Sequence, residues 1–212
     1  MHMRHLAAAA GAIVVLTGAA VQTLSQTGSQ TGPAAVLATE LRPVASFADI
    51  ADTQSRSIAL FKEAGKVLQH PRCLNCHPAG ERPSQGDLMR PHQPLVVRGK
   101  DGHGAPGLAC TTCHSGANFD PARVPGDPHW HLAPASMAWE GRSVGQICQQ
   151  LKDPRRNGNR DIAAILKHVV TDSLVKWAWN PGPGRTPAPG SNAEFGALLQ
   201  AWADTGAHCP AP

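Results

Sequence analysis

Residues 73–77 read Cys73-Leu74-Asn75-Cys76-His77, and residues 110–114 read Cys110-Thr111-Thr112-Cys113-His114. Each is a C-x-x-C-H run, the spacing with which a chain attaches c-type haem. Two thiols so spaced add across the two vinyl groups of one porphyrin. The His that follows then lies under the iron and supplies its proximal nitrogen. The motifs predict two c-type haems, with Cys73, Cys76, Cys110 and Cys113 as the thioether cysteines and His77 and His114 as the proximal iron ligands. A four-cysteine zinc site also uses paired C-x-x-C runs, but typically with ~15–20 residues between them. Here the gap from Cys76 to Cys110 is 33 residues, and a His follows each pair. A thioredoxin-like redox motif would need a βαβ setting, which the pattern lacks. Structural disulfides are the plainest alternative.

Cys148 and Cys209 are left over as a pair. In an exported chain an even remainder suggests a disulfide; the alternative is two separate buried thiols.

The composition also points to a filled interior that side chains do not supply. The 212 residues hold four Phe, five Trp and no Tyr, against 21 Gly and 19 Pro. Aromatics carry much of the buried area of ordinary cores, and Gly and Pro interrupt helices and strands. A doubly wound sheet, a coiled coil and a β-barrel are disfavoured. A net charge of only +4 and clear apolar helices argue against disorder.

The chain opens Met1-His2-Met3-Arg4-His5 and continues with an uncharged apolar stretch, Leu6 to Val21. A basic start before so short an apolar run reads as a signal peptide over residues 1–21. It falls short of the ~20 residues of a spanning helix, although an uncleaved segment would tether the chain to a membrane. Residues 22–45 read as a flexible spacer, with Ser25-Gln26-Thr27-Gly28 repeated in Ser29-Gln30-Thr31-Gly32. The location expected is the bacterial periplasm.

Residues 46–212 form the expected domain: mostly α, small and loop-rich, wrapped around two covalent haems, with helices towards its C-terminus. Ser55 to Gln69 has helical periodicity in Ile58, Phe61 and Leu68, and Pro71 is expected to stop it. Pro78 to Arg142 has no sustained period and reads as loops. A capping box at Ser143-Val144-Gly145-Gln146 starts the next helix. Another helix is expected from about Asp161 to Trp177, followed by the Pro181–Gly190 linker. The last begins with the capping box Ser191-Asn192-Ala193-Glu194 and ends at Gly206. No strand shows convincing alternation. The five Trp, all after residue 129, suit core packing or stacking on porphyrin.

Each iron can take a distal ligand. His92, between Pro91 and Gln93-Pro94, and His131, in His129-Trp130-His131, are the first candidates. Met137 is the thioether alternative, with His103 and His168 next; His129 and Met89 complete the set. A Met ligand would raise the reduction potential relative to a second His. The basic cluster Lys152-Asp153-Pro154-Arg155-Arg156 with Arg160 suits partner docking or propionate pairing, or simply a solvated loop. No aromatic-interleaved basic stripe marks the chain for nucleic acid.

The paired motifs resemble those of di-haem c-type cytochromes. The stretch Arg72 to Pro210 further resembles small bacterial proteins labelled cytochrome-like isoquinoline 1-oxidoreductase subunit. That resemblance is carried by Cys73 to Pro78, His92-Gln93-Pro94, Gly107 to His114, Trp130 to Pro134, Met137-Ala138-Trp139 and Gly206 to Pro210. It implies a periplasmic electron carrier that relays single electrons between a dehydrogenase or molybdenum hydroxylase and the respiratory chain. Such a carrier needs redox protein partners and no catalytic residues of its own. A di-haem peroxidase-like enzyme or a haem-based gas-binding module are the alternatives, and each would leave one iron with an open distal position.

Overall fold

A computed structural model describes residues 39–212. The expected signal peptide and most of the expected spacer lie outside the described residues. The domain is mostly helical with loops.

Helix α1 spans Thr53–Leu68 and is capped by Asp52, whose carboxylate accepts from the Ser55 amide at 2.7 Å. Its inner face buries Leu60, Phe61, Ala64, Val67 and Leu68. Pro71 does not simply stop this helix. It occupies the first turn of a second one, α2 (Pro71–Leu74), where its missing N–H costs nothing. The cap of α2 is His70, whose ring Nδ1 accepts from the Arg72 amide at 3.2 Å. Helix α3 spans Val144–Lys152 and helix α6 spans Asn192–Asp204; both expected capping boxes form in full.

The single helix expected from Asp161 to Trp177 is in fact two, α4 (Ile162–Thr171) and α5 (Ser173–Trp177). The break falls at Asp172, which is extended and accepts from the amides of Leu174 and Val175. A carboxylate that can cap a new turn outcompetes one that merely continues the old one.

Helices α1, α3, α4 and α6 pack around one apolar core. The composition leads one to expect no such core, so this is a correction. Its reason is concentration: Phe47, Phe61, Phe195 and Trp202 are all buried here, with Phe61 and Trp202 in ring contact at 4.8 Å. Residues 39–45, read as spacer, also pack on this body: Leu41 is buried, and the Arg42 amide donates to Glu63 at 2.9 Å. Cys148 and Cys209 are disulfide-bonded, tying α3 to the C-terminal tail across 61 residues of sequence. The tail lies so close to α3 that a Cβ on Gly145 would sit 2.2 Å from the Ala211 carbonyl.

The segment between α2 and α3 is built differently. Its regular elements are short: two hairpins of two-residue strands, β1 (Ser84–Gln85) with β2 (Arg90–Pro91) and β3 (Gly104–Ala105) with β4 (Leu108–Ala109), and three-residue 3-10 turns at Cys110–Thr112, Asp120–Ala122 and Ala135–Met137. Large apolar side chains are buried there only at Leu132, Met137 and Trp139. Polar side chains hold it instead. Buried Arg98 donates to the carbonyls of Ala133, Pro78 and Gly80, gathering three strands of loop. Asp87 accepts from Arg72 on α2 and from Thr186. No described helix is long and apolar enough to cross a membrane.

Candidate functional site

Both C-x-x-C-H runs take up the same turn. In the first, the Cys76 and His77 amides donate to the Cys73 carbonyl, each at 3.1 Å. In the second, the Cys113 and His114 amides donate to the Cys110 carbonyl at 3.2 and 3.0 Å. One winding of the chain thereby brings the two sulfurs and the imidazole of each motif together.

The imidazoles are held alike too. His77 Nδ1 lies 2.6 Å from the Met137 carbonyl, and His114 Nδ1 lies 2.7 Å from the Pro125 carbonyl. A carbonyl only accepts, so Nδ1 carries the proton in both rings and Nε2 keeps its lone pair. This is the outer-shell arrangement that fixes the tautomer of a metal-binding His. Each ring is also stacked on a Trp. His77 and Trp139 are 3.5 Å apart and 8° from parallel; His114 and Trp130 are 4.6 Å apart and 11° from parallel. Burial pushes the His77 imidazole down to about 4, and His114 is lowered for the same reason. Both are therefore neutral at physiological pH, the form that binds a metal. Burial raises the Cys73 and Cys76 thiols to about 12 and about 11, and raises Cys110 as well.

The surroundings of the two motifs differ. Cys73, Cys76 and His77 line an open cleft of about 160 Å³ between α2 and the α4–α5 pair. Its walls are largely apolar, with Leu68, Ile165, Val169 and Leu199 among them. Two N–H donors on these walls, Arg72 Nε and Trp139 Nε1, are buried and have no hydrogen-bond partner. An apolar slot with unpaired donors suits an occupant that is flat and apolar but carries carboxylates, as a porphyrin with its propionates does. The second motif sits on the surface of the loop segment, with Cys113 exposed.

The five foremost distal candidates, His92, His131, Met137, His103 and His168, fall near one motif or the other. His131 and His168 line the first cleft; His131 Nδ1 is held by the His129 carbonyl, and His168 Nδ1 by Asp172 at 3.3 Å. Met137 lies on the Nδ1 side of His77, where its carbonyl positions the ring. His92 is beside His114, with ring centroids 5.9 Å apart. The His103 ring is 5.0 Å from that of His131, and the His103 carbonyl accepts from the Cys110 amide of the second motif at 2.9 Å. The carbonyls of Met137 and Pro125 and the place of Arg72 are not legible as site features in the sequence; a backbone acceptor leaves no side-chain signal.

The four motif cysteines are unbonded, and no described group of three or more His, Cys, Asp or Glu side chains could hold a bare metal ion. The cysteines therefore do not converge on a zinc-type site. The chain matches no family model, no curated protein and no solved structure, so the function is argued from its own residues.

Proposed function

We propose that the chain is a di-haem c-type electron carrier of the cytochrome kind. The observation that carries this is the duplicate corner: the same C-x-x-C-H turn twice, each His anchored through Nδ1 to a backbone carbonyl and stacked on a Trp. Cys73, Cys76 and His77 would hold one haem, and Cys110, Cys113 and His114 the other. A haem so held supplies a one-electron iron couple whose potential follows from its axial ligands, hydrogen bonding and burial.

The chain's own residues do the rest. Met137 and Pro125 hold the Nδ1 protons, so Nε2 is the ligand atom at each site. The cleft walls exclude water around the first site, and Arg72 and Trp139 offer N–H donors to carboxylates within it. Trp130 lies against His114 and meets Trp177 edge-on at 5.0 Å, and Trp177 lines the first cleft. This contiguous aromatic path suits electron passage between the two sites. The disulfide between Cys148 and Cys209 is in keeping with an oxidising compartment such as the periplasm. The family resemblance makes a molybdenum hydroxylase or other dehydrogenase the proposed donor, and the respiratory chain the acceptor.

A pyridine haemochrome assay on protein matured in a c-type haem-attaching host tests the reading. Two c-type haems per chain are expected; one or none overturns it.

A further inference from the structure

We infer that the second site is ligated by two histidines, with His92 trans to His114; this rests on the di-haem reading above. An imidazole nitrogen binds a metal at about 2.0–2.1 Å, so two rings that share one metal have centroids within roughly 6–7 Å of each other. The His92 and His114 centroids are 5.9 Å apart, with the ring planes at 62°.

His92 is also built as a ligand. Its Nδ1 lies 3.0 Å from the Pro94 carbonyl, which leaves Nε2 with its lone pair, as at His77 and His114. Its backbone is fixed on three sides. The His92 amide donates to Pro83 at 3.0 Å, its carbonyl accepts from Arg82 Nη2 at 2.6 Å, and the next amide, Gln93, donates to the Gln85 side chain at 3.1 Å. The β1–β2 hairpin thus holds His92 on a braced arm rather than on a free loop. Among the other candidates, His131, His168 and Met137 line the first cleft, while His103 meets the second motif through its backbone, its carbonyl accepting from the Cys110 amide at 2.9 Å.

The consequence is electronic. A second His in place of a Met keeps the potential of that site low. The exposed site would then be six-coordinate, closed to peroxide or carbon monoxide, and suited to electron exchange rather than catalysis.

The test uses the haem-loaded chain and reads spectra rather than turnover. In His92→Ala, haemochrome content is expected to stay at two per chain, while low-temperature EPR shows one low-spin ferric signal replaced by a high-spin one. Free imidazole restores it, and carbon monoxide binds the reduced variant at one haem but not at that haem in the parent. In His92→Met, which keeps a ligand and so guards against loss of the haem, near-infrared MCD is expected to gain a His/Met signature at one site. Two haems with unchanged low-spin signals in both variants would overturn the His92 assignment while leaving the di-haem reading intact. Fewer than two haems in the parent protein would overturn that reading itself.

Discussion

The two C-x-x-C-H corners share a turn, a carbonyl anchor and a Trp, yet they stand in opposite settings. The first is set into the helical body, between α2 and the α4–α5 pair, with its thiols and imidazole half-buried along the cleft. The second is carried by loops, with Cys113 at the surface. The motif fixes the local winding and the placement of sulfur and nitrogen. The rest of the chain decides how dry each corner is, and so what each can contribute. On the proposed reading, the buried corner joins haem to the core and the exposed corner presents haem to partners.

Removing the two attachment sites in turn is expected to break the symmetry most sharply. Cys73→Ala with Cys76→Ala leaves an apolar cleft and two unpaired N–H donors with nothing to fill them. The loss should exceed the ~5 kcal/mol at the top of single core truncations, with no sharp thermal transition. Cys110→Ala with Cys113→Ala should leave the helical body melting cooperatively, because few apolar groups pack there. Calorimetry of the two variants checks this; equal losses would mean that the second haem is as much a part of the core as the first.

The disulfide divides the regions in the same way. Opening it by Cys148→Ala with Cys209→Ala frees a loop across 61 residues, worth about 4 kcal/mol by chain entropy. Urea unfolding should register that loss in the helical body. The low-spin signal of the second site should persist well below the midpoint.

Acid is expected to act on the first corner. His70 caps α2 while 2% exposed, its Nε2 has no partner, and burial pushes it down to about 4 from an ordinary 6.5. Because the folded value is the lower one, the unfolded chain takes up the proton first. The contribution is whole above pH 6.5 and is lost as the pH falls towards 4. It amounts to on the order of 2–3 kcal/mol. His70→Asn keeps a cap-forming oxygen and removes the titrating ring. Stability followed between pH 7 and 4 should fall less steeply in this variant; an unchanged slope would move the acid sensitivity elsewhere.

What could be read from the sequence follows the range of each interaction. The two capping boxes and the body of α1, expected from Ser55 and found from Thr53, are local and legible. Pairing of Cys148 with Cys209 followed from compartment and parity. Asp172 was harder, because its capping role is visible only once α4 is seen to stop beneath it. Bulk composition misleads about the core, since averages hide that Phe47, Phe61, Phe195 and Trp202 are gathered into one buried cluster. Anchoring of His77 by Met137 joins residues 60 apart through a backbone oxygen, and nothing in residue type announces it.

The subtlest difference between the corners is the way they are joined. Trp177 donates from Nε1 to Asn118 at 2.9 Å, which fixes its ring where it meets Trp130 at 90°. Trp177→Leu removes the aromatic contact at a cost of about 1 kcal/mol beyond area, so haem content should be unchanged. If electrons cross between the corners through this pair, internal equilibration after pulse reduction should slow several-fold. Trp177→Phe, which keeps a ring but not the hydrogen bond, should recover most of the rate. An unaltered rate in Trp177→Leu would mean that the two porphyrin edges approach closely enough to exchange electrons directly. The pair would then serve packing alone, and the exposed corner would be coupled to the buried one by proximity rather than by the residues between them.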